Sequence, residues 1–592
     1  MPRTSKKLFL DTYSLKIINY IVTSPQLEKK GVENGIHLIG KDKSKISGLE
    51  KISAEQIVFV IYPDREIIDV VGELLFKLNT FNKKLNFNII FTSGETYEIV
   101  EYMTSCDLIN YFSIYSFQTD LIPFDYDLLS LEHSNSLKDI YLLDKYDCIT
   151  NLAKAIAKLE IIYGKIANKF IKGDTANILN ELLVREEKIN AIEPTKGTPE
   201  IFGCIMLDRS IDMITPFCSH YTYEGLLDEY FGINYNRIKV KESIINDKQK
   251  DKDKEKTIEV GSRVVFYSKI RNMPFGMTNT FLKQTLTHYQ ETGDKTKKLS
   301  EKSETKVMVE TLKKYKQLIK EEEGPMIEHI SLANYITHNQ NNPGYLEYLK
   351  FEQLMLAGDL PENLHDYYEK EIGKQTDLYK ILKLLCLESI LQNGIEDYSK
   401  IKKDIMLTYG FQKIFLFNNL EKIGLLKDKN APGKPLTLIQ YQTIIKKLNL
   451  LNEDCDPNKI EDCSFVFGGY CSISLRLIEA TIKNGWKDIS DGLKKIPGYT
   501  YYPSNEKEIL KQRKEKNFIF VVFVGGITYP EIEGIRFLNQ INKDFKFIIV
   551  TTNIINSKKI FEGLESEVVP TLTMKEFYEM TLNDDPKKKK KK

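Results

Sequence analysis

The chain is 592 residues long, which at roughly 150 residues per domain predicts three or four domains. Hydrophobic residues make up 42% and charged residues 28%, so there is enough apolar material for several cores, and wholesale disorder is excluded. Basic and acidic residues number 84 and 83, which gives a formal net charge of +1. This balance excludes a global field that would attract nucleic acid or an anionic membrane, and we expect no nucleic-acid partner.

The chain is expected to be cytosolic. Its first residues, MPRTSKKLFLD, contain too few apolar residues for a secretory signal. The longest apolar stretch, Phe518 to Ile527, is about half of the ~20 residues that cross a bilayer, and it predicts a buried strand. Eight cysteines without a C-x-x-C pair predict reduced, mostly buried thiols.

The predicted elements begin as an alternation of strands and helices. The runs IVFVIY (Ile57 to Tyr62) and FNIIFTS (Phe87 to Ser93) are each followed by a helical pattern, which predicts βαβ units and a mostly parallel sheet. A further run, FGCIMLD, ends at Asp208, and two more strands follow only after Phe518. From Gln284 to Leu451 the periodicity is helical throughout. This order predicts a second α/β domain whose sheet is interrupted by a helical domain.

Three charged segments are predicted to lie at the surface. Lys239 to Glu259 and Glu291 to Lys306 have mixed charge and few apolar residues, which favours solvent-exposed loops over binding tails. The lysine run Lys587 to Lys592 predicts a solvated tail, with weak attraction to anionic lipid as the alternative.

The sequence lacks the motifs of common catalytic chemistry. It has no phosphate loop G-x-x-x-x-G-K-[ST], no dinucleotide-binding G-x-G-x-x-G after a strand, no zinc motif H-E-x-x-H and no nucleophile elbow G-x-S-x-G. Cys455, Cys463 and Cys471 recur at intervals of eight, which suits neither a helix face nor a zinc knuckle. These absences disfavour the common kinds of nucleotide and metal chemistry, and we expect no cofactor and no metal.

One polar cluster remains, formed by Asp208, Arg209 and Asp212 at the end of a predicted strand. Such positions hold ligands in open α/β sheets, so the carboxylates could bind a metal or act as an acid and base. The structural alternative is an Asp/Arg network that caps the following turn. The absence of a nearby histidine or glycine-rich loop favours the structural alternative.

The same cluster lies in a segment that resembles the SM (Sec one/Munc eighteen) family. In LDRSIDMITPFCSHYTYEGLLDEYFGI, Leu207 to Ile233, the ending L-D-R is followed by D-x-x-T-P and T-Y-x-x-L-x-D, as in that family. The family's structural motif falls on these positions: Asp208, Arg209, Asp212, Thr215, Pro216 and Tyr223. Three further segments are similar to the family: Ile122 to Glu132, Tyr163 to Leu183, and Phe520 to Leu538.

Within the family, three segments resemble the vacuolar protein sorting thirty-three branch, which supplies a subunit of the HOPS and CORVET tethering complexes. They are Leu382 to Ile395, Leu407 to Leu426, and Phe465 to Ala480. The chain has Tyr470-Cys471-Ser472-Ile473 where that branch usually has a tyrosine-alanine-proline phrase.

The resemblance implies a three-domain arch: two parallel-sheet α/β domains with a large helical domain inserted into the second. The expected boundaries are 1–124 for the first α/β domain, 125–238 and 461–592 for the second, and 239–460 for the helical domain. Its SNARE-binding half is expected at about 262–360 and its partner-subunit half at about 361–460.

For the partner subunit, the branch uses a lysine after G-L-L and a Y-x-x-I pair to bind a vacuolar protein sorting sixteen-type helical repeat. These positions are Lys427, Tyr441 and Ile444 here. With Ile445 and Leu448, Tyr441 and Ile444 form one helix face, which the resemblance assigns to the partner. Periodicity alone favours the alternative, in which this face packs in the domain's own core.

SNARE helices are expected on the other half of the helical domain. Met308, Leu312, Tyr315 and Ile319 share a helix face, and the EEEGP that follows predicts a charged hairpin tip. Internal coiled-coil packing is the alternative for this face.

The sequence thus predicts a non-enzymatic SNARE-binding SM protein that templates SNARE assembly, a syntaxin included, in endolysosomal or vacuolar tethering and fusion. Other HOPS and CORVET subunits are expected partners, and membrane contact is expected to be indirect, on late endosome, lysosome or vacuole. An SM protein of the Golgi, early endosome or plasma membrane is one alternative. An α/β enzyme or nucleotide-dependent regulator using Asp208, Arg209 and Asp212 is the other.

Overall fold

The computed structural model describes most of the chain, in thirteen segments. They are residues 5–22, 24–40, 54–81, 85–92, 96–117, 120–191, 201–245, 254–262, 264–287, 306–430, 441–456, 460–505 and 517–565. The Lys587 to Lys592 tail and nearly all of Glu291 to Lys306 lie outside these segments.

The first sheet has five strands, all parallel. They are β1 (Lys6–Asp11), β2 (Val32–Ile39), β3 (Gln56–Ile61), β4 (Asn86–Phe91) and β5 (Phe112–Ser116), in the order β2-β1-β3-β4-β5. The associated helices are α1 (Thr12–Ile21), α2 (Ser24–Lys29), α3 (Arg65–Phe81) and α4 (Tyr97–Ser105). Alternate residues of β3 join two separate apolar clusters, because a parallel sheet is covered on both faces.

The second sheet combines strands from two distant parts of the chain. One part supplies β6 (Ile122–Asp125), β7 (Leu128–Ser130), β8 (Asn168–Lys172) and β9 (Ile201–Asp208). After an antiparallel hairpin of β10 (Arg237–Lys241) and β11 (Glu255–Glu259), the other part supplies β12 (Thr500–Tyr501), β13 (Asn517–Val524) and β14 (Phe545–Thr551). The order is β12-β8-β9-β13-β14-β7-β6, with β9 and β13 parallel at its centre. The interrupted sheet is therefore present as predicted.

Most of the remaining elements are helices. In chain order they are α5 (Ser136–Tyr141), α6 (Asp147–Tyr163), α7 (Asp174–Ile189), α8 (Tyr223–Phe231), α9 (Glu242–Ile245), α10 (Val265–Ile270), α11 (275–287), α12 (Lys306–Gln340), α13 (Pro343–Leu356), α14 (Leu364–Gly373), α15 (Leu378–Leu391), α16 (Tyr398–Tyr409), α17 (Ile414–Lys422), α18 (Tyr441–Leu448), α19 (Ile473–Lys483), α20 (Ser490–Leu493), α21 (Tyr529–Ile541) and α22 (Ser557–Leu564). No helix in the described segments is both long and apolar enough to cross a membrane.

Two local predictions are wrong. The stretch from Lys239 to Glu259 is not a simple surface loop, because β10 and β11 pair at both of its ends. Ile238, Val240 and Ile258 are buried and alternate with residues that face solvent. This alternation of apolar and polar residues is typical of a strand, and it decides the structure here despite the many charged residues. EEEGP is not a hairpin tip either, since α12 continues through Gly324 and Pro325.

The helical region is attached to the second α/β domain by buried polar contacts. Glu352 of α13 accepts hydrogen bonds from the Ser219 amide at 2.7 Å and the Ser219 hydroxyl at 2.8 Å. Lys383 of α15 donates to Glu229 of α8 at 2.5 Å. A buried carboxylate or ammonium left without a hydrogen-bond partner would lower the stability of the fold. These contacts therefore fix the positions of α13 and α15.

Burial of Glu352 predicts a pH-dependent stability. Burial raises its pKa from 4.5 to about 7, against the opposing effect of Lys383. The folded chain then retains a proton that the unfolded chain releases between about pH 4.5 and 7, so the free energy of unfolding falls as pH rises through that window. We expect Glu352→Gln to remove about 3 kcal/mol of this fall, measured by urea unfolding at several pH values.

Glu347→Gln is the matched control, since Glu347 lies on the same helix and its side chain is 41% exposed in an ion pair with Lys370. An unfolding profile of Glu352→Gln that keeps the wild-type dependence on pH would contradict the assignment.

Candidate functional site

The predicted polar cluster is a buried network at the carboxyl end of β9. Asp208 accepts hydrogen bonds from the Tyr141 hydroxyl at 2.6 Å, the Thr175 amide at 2.8 Å and the Ser210 amide at 2.8 Å. Gly173 has a φ of +105°, and a Cβ there would lie 2.0 Å from the Asp208 Cβ. The Asp208 carboxylate is thus enclosed by the starts of α7 and of the turn after β9.

Arg209 joins the two parts of the second sheet. Its Nη1 donates to Glu531 Oε2 at 2.8 Å, and its Nη2 donates to the Asp212 carbonyl at 2.5 Å. Burial by itself would lower the pKa of Arg209, but the carboxylates of Glu531 and Asp212 raise it above its ordinary value. Glu531 also forms a capping box with Thr528 at the start of α21.

Asp212 and the residues after it complete the network. The Asp212 carboxylate accepts from the Thr215 amide at 3.2 Å and the Thr215 hydroxyl at 2.8 Å, within the turn that contains Pro216. Burial raises the pKa of Asp212, and Arg209 opposes that rise. Tyr223 is buried, and its hydroxyl lies 2.8 Å from His329 Nδ1. Each of these side chains has at least one partner inside the protein, which favours the structural alternative for the cluster.

A second group could in principle hold a metal. Ligand atoms of Asp462, Cys463 and Glu479 lie within 4.8 Å of one another. Arg476 already contacts this group, donating to Asp462 at 2.7 Å and to Glu479 at 2.8 Å. The guanidinium supplies the positive charge that these carboxylates need.

The predicted partner-subunit residues do not form an exposed face. Tyr441 is 2% exposed and Ile444 is fully buried, and the Tyr441 hydroxyl donates to the Leu356 carbonyl at 2.7 Å. The expectation that these two side chains project toward a partner therefore has to be corrected. The apolar face of α18 packs in the core of its own domain, because burial there removes its apolar side chains from water. Lys427 is partly exposed, after α17.

The predicted SNARE-contact residues lie on the first half of α12. The backbone of Met308, Leu312, Tyr315 and Ile319 is helical, but their side chains lie outside the described part of the structure. The prediction for these four residues stays a prediction.

An apolar groove of about 560 Å³ lies between α11, the end of α12 and the start of α13. Phe275, Leu346 and Leu349 supply apolar surface, and the Leu346 side chain is 56% exposed. Amide side chains also line the groove, from Asn279, Gln340 and Asn341. An apolar surface with amides beside it suits an amphipathic helix.

Polar contacts hold the groove in shape. Tyr221, in its lining, accepts a hydrogen bond from Gln353 at 3.1 Å, and Asn279 donates to Thr337 at 3.1 Å. Gly468 has a φ of +64°, and a Cβ there would lie 2.7 Å from the Tyr221 ring, so this close approach needs glycine. Sequence reasoning missed the groove, although the i, i+3 spacing of Leu346 and Leu349 is its visible signal.

A second apolar surface lies around the turn between α16 and α17. Leu407, Phe411 and Phe415 are 63%, 71% and 39% exposed. They follow one another at intervals of four, but Gly410 breaks the helix between them. The interruption explains why helical periodicity did not single them out.

Comparison with known proteins gives consistent matches over the chain. Residues 6–563 match the Sec1 family. The chain is 29% identical to "Vacuolar protein sorting-associated protein 33A" of Rattus norvegicus, covering 95% of this chain and 94% of the relative. It is 30% identical to "Vacuolar protein-sorting-associated protein 33 homolog" of Arabidopsis thaliana, covering 76% of this chain and 77% of the relative.

A solved structure supports the fold. The chain resembles the Unc18-syntaxin 1 complex from Monosiga brevicollis with a TM-score of 0.62 and 14% identity, over 95% of this chain and 96% of that one. This likeness confirms the predicted fold class of two parallel-sheet α/β domains and a large inserted helical domain.

A structural role for Arg209 predicts a large loss of stability on substitution. Arg209→Met leaves Glu531 and Asp212 buried without their cation, and we expect the free energy of unfolding to fall by about 3–5 kcal/mol in urea. Arg65→Met is the control, because Arg65 and Glu98 form an exposed pair, for which we expect a change below about 1 kcal/mol.

Thr215→Val gives a milder test if Arg209→Met cannot be purified. It removes one hydrogen bond to Asp212, and we expect a loss of about 1 kcal/mol. Wild-type stability in both variants would show that the network is not structural.

Proposed function

The chain belongs to the Sec1 family, and from this membership we propose that it binds SNARE proteins and templates their assembly in endolysosomal or vacuolar membrane fusion. The family is the SM family that the sequence predicted, so that assignment is confirmed. Membership of this family also means that the chain is a non-enzymatic protein, as expected. The observation that carries the proposal is the apolar groove of about 560 Å³ beside α12 and α13.

The groove supports helix binding through its chemistry. A SNARE helix offers apolar side chains at i, i+3, i+4 and i+7, and Phe275, Leu346 and Leu349 offer a matching apolar surface. Asn279, Gln340 and Asn341 can bond the polar edge of such a helix. The groove is formed between residues of the predicted SNARE-binding half, at about 262–360, and residues outside it, among them Tyr221 and Phe465. It lies at the end of α12, whereas Met308, Leu312, Tyr315 and Ile319 lie on the first half of the same helix.

Templating needs no covalent step. A protein that holds two SNARE helices side by side turns their association into an intramolecular event with a high effective concentration. It also fixes their register, which lowers the entropic barrier to zippering. Such a role fits a chain whose polar cluster at Asp208, Arg209 and Asp212 is engaged in holding the fold.

For assembly into HOPS or CORVET, we propose the exposed surface of Leu407, Phe411 and Phe415 as the site for a vacuolar protein sorting sixteen-type helical repeat. The three side chains lie in the predicted partner-subunit half, about 361–460, and they are exposed where Tyr441 and Ile444 are not. Aromatic anchors are common at interface centres. Lys427, which is partly exposed in the same half, is proposed as a further contact.

The site of action proposed is the cytosolic side of late endosome, lysosome or vacuole membranes, reached through partner proteins. The similarity to proteins named for vacuolar sorting supports this location. Other HOPS and CORVET subunits would hold the chain there.

The groove can be tested with one exposed residue. We expect Leu346→Asp to weaken binding of purified endolysosomal SNARE motifs about tenfold or more, because a charge replaces an apolar contact. Binding is measured by fluorescence anisotropy with labelled SNARE motifs. Ile541→Asp is the matched control, since Ile541 is 54% exposed in the second α/β domain.

Equal binding by Leu346→Asp and the wild type would contradict the groove as the SNARE site. Binding of only Golgi, early endosome or plasma membrane SNAREs by the wild type would instead favour an SM protein of another fusion step.

The partner-subunit surface predicts a separable defect. We expect Phe411→Asp to abolish co-purification of the sixteen-type subunit while SNARE binding stays at the wild-type level, because the two surfaces are distinct. Phe76→Asp, 56% exposed on the first α/β domain, is the control. If the Phe411→Asp variant still co-purifies with the sixteen-type subunit, the interface does not include this surface.

A further inference from the structure

The last described residue, Glu565, lies close to the partner-subunit surface. The Lys413 ammonium donates a hydrogen bond to the Glu565 carboxylate. Lys413 lies between Phe411 and Phe415 in the chain, in the turn that carries this surface. The residues that follow Glu565 therefore continue from a point beside exposed apolar side chains, of which Phe411 is 71% exposed.

Two further contacts fix the position of Glu565. The Tyr379 hydroxyl donates to the Glu565 carboxylate at 2.7 Å, and the Asn419 side chain donates to the Leu564 carbonyl at 2.8 Å. Tyr379 belongs to α15 and Asn419 to α17, so these two helices hold the end of α22 between them. The point from which the chain continues is therefore fixed relative to α17.

The segment that follows is rich in apolar residues. Residues 566–582, which lie outside the described segments, read SEVVPTLTMKEFYEMTL. A solvated tail is expected to be poor in such residues. The T-x-x-E phrase at 573–576 has the spacing of a capping box and predicts the start of a helix. Met574, Phe577 and Tyr578 follow the i, i+3, i+4 spacing, which predicts that they share one apolar face.

The link from Glu565 to this predicted helix is long enough to reach the partner-subunit surface. Residues 566–573 span up to about 26 Å when extended, at ~3.3 Å per residue. A helix is about 10 Å across, so the link can pass around the start of α17. A link of this length gives an effective concentration in the millimolar range, at which a weak contact is already populated.

The segment and the surface have matching chemistry. Leu407, Phe411 and Phe415 are exposed in the described part of the structure, and a predicted apolar helix face is tethered beside them. An amphipathic helix binds by laying its apolar face on such a surface. Contact between the two removes both sets of apolar side chains from water, which is favourable.

We propose that residues 566–582 fold back onto the surface of Leu407, Phe411 and Phe415, and that the sixteen-type subunit has to displace them. The fold-back concerns this chain alone, whereas the displacement rests on the proposed function, which assigns the same surface to that subunit. The segment is thus an autoinhibitory cover. It lowers the apparent affinity for the subunit, because only the uncovered fraction of the chain can bind.

Hydroxyl-radical footprinting of the full chain, read by mass spectrometry, tests the fold-back directly. We expect oxidation of Phe411 and Phe415 to rise several-fold in Phe577→Asp, because the charge removes an apolar contact from the cover. Asn583→Asp is the matched control, since it introduces the same side chain just beyond the segment. Its footprint should equal that of the wild type, and thermal unfolding shows that both variants retain the fold.

Two footprinting results would overturn the proposal. One is equal oxidation of Phe411 in the wild type and in Phe577→Asp. The other is oxidation of Phe411 that rises in the wild type on about tenfold dilution, since a cover from the same chain does not depend on protein concentration. That result would assign the cover to a second copy of the chain.

Affinity for the purified sixteen-type subunit separates this proposal from the proposed function. We expect Phe577→Asp to bind the subunit about tenfold more tightly than the wild type, as for a surface that is covered about nine tenths of the time. Asn583→Asp should bind like the wild type. A changed footprint with unchanged affinity would support the fold-back and would show that the subunit binds elsewhere.

Discussion

The buried ion pair between Arg209 and Glu531 is the constraint on which the rest of the fold depends. The two residues are 322 positions apart, and they meet because β9 and β13 lie side by side at the centre of the second sheet. An unpaired charge at this depth would cost several kcal/mol, so the sheet is stable only when both parts of the chain are in place. The helical region between them is therefore held at both ends.

The helical region takes its position from a few buried contacts on α13 and α15. Glu352 binds Ser219 and Lys383 binds Glu229, which fixes both helices against the second α/β domain. Leu346 and Leu349 of α13 then line the groove, together with Tyr345 of the same helix. The buried contact of Glu352 thus determines where the apolar side chains of the groove lie.

Strands with strong apolar runs were predictable from the sequence. A continuous apolar run indicates that a strand is buried on both faces, whichever strands lie beside it. The run ending at Asp208 and the run beginning at Phe518 are central strands, as their continuous hydrophobicity indicates. The Lys239 to Glu259 stretch was not predictable from its composition, because Ile238, Val240 and Ile258 are few among many charges. Their alternation alone carried the signal for a hairpin.

The sequence by itself determined the fold class, the interrupted sheet and the family. Apolar periodicity and the order of motifs can be read directly along the chain, without knowledge of which distant residues are in contact. Only the tertiary structure decided which apolar faces are free. Tyr441 and Ile444 have the spacing of a binding face, yet they are buried, whereas Phe411 is exposed after a helix break. Periodicity shows that a face is apolar, but what covers that face depends on contacts between residues far apart in the chain.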